Sequence, residues 1–169
     1  MAMRNIVLEN EELIRKISRP VEEITPRIIT LLDDMAETMY YENRGIGIAA
    51  PQVGVLRRVF VVDVGDEHGK LEFINPEITR REGTQTYMEG CLSVPGMTGI
   101  VTRPEYAKAT CLDIDMKPQV VEGEGLLARA ICHETDHLDG KLYVELVEGP
   151  LMTNEEFVEK YSSDDGDEE

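Results

Sequence analysis

His133 and His137 stand four residues apart with Glu134 between them, in a stretch whose other members include Leu126, Leu127, Ala130, Ile131 and Leu138. Residues i and i+4 share one face of an α-helix, so a helix over 125–139 aims both imidazoles at one place. Its apolar flank must be buried against other elements. This is the spacing at which two histidines converge on a cation beside a carboxylate able to move protons. The plainer reading, a solvated helix with two ordinary histidines, is weakened by the apolar stretch around them. A catalytic divalent ion normally takes three protein ligands and keeps one position open, so the fold must deliver a third donor from elsewhere. No other feature constrains the architecture as strongly.

The rest of the chain suits such a buried helix. With 169 residues and 41% hydrophobic content, one domain can form a core without disulfide staples. Thr25-Pro26 followed by Ile28, Ile29, Leu31, Leu32, Met35 and Met39 predicts a capped amphipathic helix running to about Glu42. Two strands are expected over Arg58 to Val64 and Leu71 to Ile74 around the turn Gly65 to Gly69. Further strands are expected at Tyr106 to Asp115, Gln119 to Glu122 and Tyr143 to Glu145. The fold class is therefore α+β, with mostly antiparallel sheets packed around a central metal-binding helix in a single domain. Its boundaries fall at residues 1–163. The remaining residues, 164–169, form a solvated acidic tail with five acids in six positions. No apolar run approaches the roughly 20 residues needed to span a bilayer, and the N-terminus lacks a secretory h-region, so neither a membrane nor export is expected. A net charge of −17 argues against nucleic acid or anionic lipid as a partner held by bulk electrostatics.

Several residues compete for the third ligand position. In the pattern His-Glu-x-x-His-x-x-Gly-x-x-His, Gly140 fits, but the last position is Tyr143 and that class fails. His68 lies in a Gly-flanked charged turn and reads as solvent-exposed. Glu145 would suit glutamate-type zinc sites. Cys91, in Glu89-Gly-Cys-Leu-Ser-Val-Pro-Gly96, sits where glycines and proline predict an irregular backbone able to push a side chain toward a metal. Glu145 and Cys91 both stay open on this evidence. Cys111 and Cys132 read as small core residues, and the sparse odd set of three cysteines argues against a disulfide framework.

A third segment, Gly45-Ile-Gly-Ile-Ala-Ala-Pro-Gln52, follows a helix where a dinucleotide loop must follow a strand, so the nucleotide reading is weak. Instead it offers close backbone approach at Gly45 and Gly47 and an amide at Gln52. Taken with Glu89-Gly-Cys-Leu-Ser93 and His133-Glu-Thr-Asp-His137, in this order, the chain resembles the peptide deformylase family over nearly its whole length.

That resemblance implies a cytoplasmic hydrolase that removes the N-formyl group from the formyl-methionine of nascent chains and releases formate. It implies metal ligands at Cys91, His133 and His137, with Fe2+ expected and Ni2+, Co2+ or Zn2+ as substitutes. Glu134 would take a proton from the attacking water and pass it to the leaving amine. Charge developing on the formyl oxygen would be met by the metal, the Gln52 amide and the Leu92 backbone N–H. Substrate contacts would fall on Gly45, Ile46 and Gly47, on Glu89 and Gly90, and on an apolar pocket containing Leu126, Ala130 and Tyr87. Three departures stand out: Arg129 where an apolar residue is usual, placed at the pocket rim or in solvent; Cys132 where glutamine is common; and an acidic C-terminus where some members carry a basic ribosome-docking helix. The last puts ribosome association in doubt. The competing classes are an endopeptidase built on the same helix and a module whose metal only holds the fold; the latter would usually close its site with four protein ligands.

Overall fold

Thr25 starts the first helix as expected: its hydroxyl accepts from the Ile28 N–H at 3.4 Å and Pro26 fills the first turn. Helix α1 spans Pro26–Tyr40 in the computed structural model, which describes residues 2–41 and 45–165. Its expected end at Glu42 lies outside the described residues. Leu31, Leu32, Met35 and Met39 form its buried stripe.

The described residues form eight strands in two antiparallel sheets. β1 (Gly47–Ala49), β2 (Val59–Val62), β3 (Leu71–Glu82), β6 (Tyr106–Leu112) and β7 (Pro118–Glu124) pair in the order β1-β2-β3-β6-β7. β4 (Gln85–Cys91), β5 (Val94–Arg103) and β8 (Glu148–Thr153) form the second, smaller sheet in that order. Helix α2 spans Leu126–Leu138 and helix α3 spans Asn154–Asp165. The alternation of side chains along β2 decides where the helices go. Val59 and Val61 pack with the stripe of α1, while Phe60 and Val62 face Leu127, Ala130 and Ile131 of α2. One sheet is thus covered on both faces, and each fully buried large side chain contributes roughly 1.5–3 kcal/mol.

Two contacts fix the far end of α2. Arg58 donates to the Leu138 carbonyl at 3.1 Å and to Asp139 Oδ1 at 3.0 Å, meeting the negative end of the helix. Gly140 then turns the chain at φ +74°, and a Cβ there would lie 2.3 Å from the Arg15 carbonyl oxygen. Gly140→Ala therefore combines a left-handed backbone with a backbone clash. It is expected to cost about 2–4 kcal/mol, read as a lower denaturant midpoint at unchanged slope.

The structure departs from the sequence expectations in four places. β3 does not stop at Ile74 but continues through Pro76, because the ladder shifts register between Ile74 and Glu77 and Asn75 takes φ +50°. Residues Tyr143–Glu145 form a 3-10 turn instead of a strand, and Glu145 pairs with Arg15. The segment around Cys91, expected to be irregular, forms a hairpin in which Cys91 pairs with Val94 after a register shift beyond Glu89. Finally, β8 and α3 carry no clear apolar period, and α3 runs two residues past the expected start of the tail; 166–169 lie outside the described residues. Among the described residues no helix is long and apolar enough to cross a membrane.

Candidate metal centre

α2 passes between the two sheets, and its inner face meets the end of β4. There the Nε2 atoms of His133 and His137 are 3.2 Å apart, and His137 Nε2 is 3.3 Å from Cys91 Sγ. One ligand atom from each of the three residues lies within 4.8 Å of the others, and both histidines are buried. Burial opposes a charged His133 ring, yet its contacts with Cys91 and Glu89 raise its hold on a proton. Burial and the neighbouring His133 push His137 well below the usual range. The pair thus favours at most one proton, and two nitrogens with a sulfur around one point suit a single borderline-soft divalent cation.

Glu134 lies beside the three donors. Its Oε1 is 3.7 Å from His133 Nε2, and its Oε2 has no hydrogen-bond partner among the described residues. Burial pushes its carboxyl up to about 7, into the range where one group can both accept and release a proton near neutrality. Gly47 explains how the carboxylate fits: a Cβ there would lie 3.0 Å from Glu134 Oε1 and Cγ. Gln52, almost fully buried, has its amide orientation set by the Ala49 N–H, which donates to Oε1 at 2.9 Å. Its Nε2 points to the site, donating to Cys91 Sγ at 3.4 Å and to Ser93 Oγ at 3.2 Å.

A cleft of about 540 Å³ opens on this cluster and is lined by Gly45, Ile46, Gly47, Gly90, Leu92, Leu126 and Ala130 among others. A larger groove of about 1090 Å³ runs beside the start of α1 but contains none of the three donors, so the chemistry is concentrated in the smaller one. The structure adds detail at three residues singled out from the sequence. Tyr87 is 58% exposed and lies away from the cleft lining. Glu89, grouped with the peptide contacts, commits its carboxylate to His133 Nδ1, Arg103 and Arg129. Burial opposes its charge, but the bonds from His133 and Arg103 outweigh it and hold the carboxyl well below the usual range. Arg129, expected at the pocket rim or in solvent, is 3% exposed: it lines the cleft, is not in solvent, and its guanidinium is paired with Glu89.

The remaining expectations about cysteine and histidine agree with the geometry. Cys111 and Cys132 are buried without a disulfide, and His68 is exposed beside Asp66. Sequence reasoning missed Arg103, Ser93 and the stacking of Tyr143 on His133, with ring centroids 5.9 Å apart. Arg103, 5% exposed at the end of β5, bridges Glu89 and Asp136. An arginine ending the β-branched run Ile100-Val101-Thr102 was the available signal.

Comparison with known proteins identifies the family and the fold. The family model described as polypeptide deformylase matches residues 3–150. A peptide deformylase of Agathobacter rectalis is 58% identical over 151 residues, covering 89% of this chain and 94% of the relative. One of Acetivibrio thermocellus is 54% identical over 147 residues, covering 87% and 85%. Among solved structures, the peptide deformylase of Legionella pneumophila superimposes with TM-score 0.82 at 44% identity, covering 88% of each chain. That of Thermotoga maritima gives TM-score 0.83 at 35% identity, covering 88% of this chain and 99% of its own. Matched by the family model over residues 3–150 and sharing the fold of solved members at 35–44% identity, the chain belongs to the peptide deformylase family.

Proposed function

We propose that Cys91, His133 and His137 hold one divalent cation, Fe2+ in the cell with Ni2+, Co2+ or Zn2+ as substitutes, and that Glu134 carries the proton. As a member of its family the protein is a metallohydrolase that removes the N-formyl group from the formyl-methionine of nascent polypeptides and releases formate. The observation that carries the residue assignment is a buried carboxylate oxygen without a partner beside three converging donors. Bound there, a divalent cation supplies Lewis acidity, polarising a carbonyl and lowering the pKa of water.

The protein groups do the rest. Glu134 takes a proton from the water that adds to the formyl carbon, then returns it to the amine nitrogen as the C–N bond breaks. Gln52 Nε2 turns one of its N–H bonds to the formyl oxygen, and the Leu92 N–H at the hairpin turn donates beside it. A peptide pairs its main chain along Gly45 to Gly47, while Leu126 and Ala130 offer an apolar wall to the unbranched thioether. Because Gly47 leaves the room that Glu134 fills, Gly47→Ala is expected to lower kcat by about 10-fold or more through displacement of the carboxylate. Formate release from formyl-Met-Ala-Ser checks this, and a variant with wild-type kcat would contradict the packing argument.

The protein acts in the cytoplasm, where formylated chains emerge, and meets ribosomes only transiently. The acidic surface gives no attraction to rRNA, and 164–169 take no part in the chemistry. Anaerobic purification with metal analysis, followed by formate release from a formyl-Met peptide, tests the reading as a whole. One equivalent of iron and metal-dependent release are expected. In air the iron form is expected to lose activity faster than nickel-substituted protein, since iron(II) supplies electrons for damage to the Cys91 thiolate. Equal half-lives would rule out oxidation of the iron as the cause.

A further inference from the structure

We propose that Arg129 is a positioning residue for the metal centre, holding Glu89 so that His133 keeps its place opposite Cys91. The proposal rests on the reading of His133 and Cys91 as ligands. Glu89 Oε1 takes the contacts from His133 Nδ1 and from Arg103 Nη2 at 2.6 Å. Its Oε2 takes Arg129 Nη1 at 2.6 Å and Arg103 Nε at 3.2 Å. Arg103 is shared, because its Nη1 is also bound to Asp136 at 2.6 Å. Among the described residues Arg129 bonds no other carboxylate, and it adds a second tie from α2 to β5 through the Val101 carbonyl at 3.1 Å.

Two consequences follow from position. Arg129 is four residues before His133, so both reach Glu89 from one face of α2 and grip it at two points. Glu89 is two residues before Cys91 on β4, so this grip sets the hairpin that carries the thiol against the helix that carries the imidazoles. Charge alone works the other way: Glu89 and Asp136 are balanced by Arg103 and Arg129, and the negative charge left by loss of Arg129 would by itself favour a cation, so the loss of affinity expected in the variant comes from lost positioning. Partners that orient a ligand in this way typically change metal affinity or activity 10- to 100-fold when removed.

The test is titration of the metal-free full chain with Ni2+ alone, comparing wild type, Arg129→Met and Arg129→Lys, with Cys91→Ala as control. Arg129→Met is expected to raise the Kd for Ni2+ by about 10- to 100-fold, with Lys restoring part of the loss. In nickel-loaded protein, kcat is expected to fall while KM stays near wild type. Wild-type Kd in folded Arg129→Met would overturn the proposal. So would unchanged Kd with an altered KM ratio between formyl-Met and formyl-Leu peptides, which marks the side chain as a pocket wall only. If Arg129→Met does not fold, Arg129→Gln, which keeps an N–H donor in similar volume, is titrated in its place and the same two results decide. Wild-type nickel binding by Cys91→Ala would refute the ligand assignment itself; loss of binding there with none in the Arg129 variants refutes the Arg129 role alone.

Discussion

Glu134→Gln is expected to retain stoichiometric metal and to lose at least about 100-fold in kcat, at the lower end of what a positioned acid-base group contributes. The substitution preserves volume in a site where Gly47 leaves no spare room, and it touches none of the three donors. What it removes is the proton carrier. Metal analysis and formate release on the same preparation separate the two effects. A metal-replete Glu134→Gln protein with full turnover would show that another base does the work, and no second buried carboxylate without a partner stands beside the donors among the described residues.

Cys91→Ala is expected to have the larger effect on binding: metal affinity falls by at least about 100-fold, beyond the usual loss for an outer-shell partner, and formate release drops to background. Cys111→Ala and Cys132→Ala are expected to keep both metal and activity, since each thiol is packed in a core cluster away from the three donors. Burial raises both of those thiols above the usual range, which keeps them protonated and poor as ligands. Elemental analysis of the three variants side by side is the measurement, and metal retained at full stoichiometry by Cys91→Ala would move the third ligand elsewhere.

The parts of the site that were legible are those encoded by local spacing. His133 and His137 share a helical face wherever the helix goes, and Thr25-Pro26 marks a helix start without tertiary help. The role of Glu89 was not legible, because its partners Arg103, Arg129 and His133 are 14, 40 and 44 residues away and only the fold brings them to one carboxylate. For the same reason the sequence left Arg129 open between pocket rim and solvent, because the buried counter-charge that turns it inward, Glu89, is 40 residues away. β3 was ended at Ile74, and the bulge at Asn75 that carries it on past Pro76 depends on side-chain bonds to the backbone of Val21. The hairpin of β4 and β5 was hidden by its glycines and proline, which mark turns in general without saying where a ladder resumes.

The hairpin's place in the chain has a consequence for how the molecule comes together. Cys91 and His137 are 46 residues apart, and between them the chain must complete β5, β6, β7 and nearly all of α2. An ion held by both is a cross-link that closes a 46-residue loop, and by the chain-entropy relation used for disulfides a bond closing such a loop restrains the unfolded ensemble by about 4 kcal/mol. The donors do not exist as a set until Cys91 of the small sheet has met α2, so metal capture would report that long-range closure rather than the formation of any one element. Hydrogen exchange in the small sheet is accordingly expected to slow when a cation is bound at Cys91, His133 and His137, and equal protection with and without the cation would contradict this.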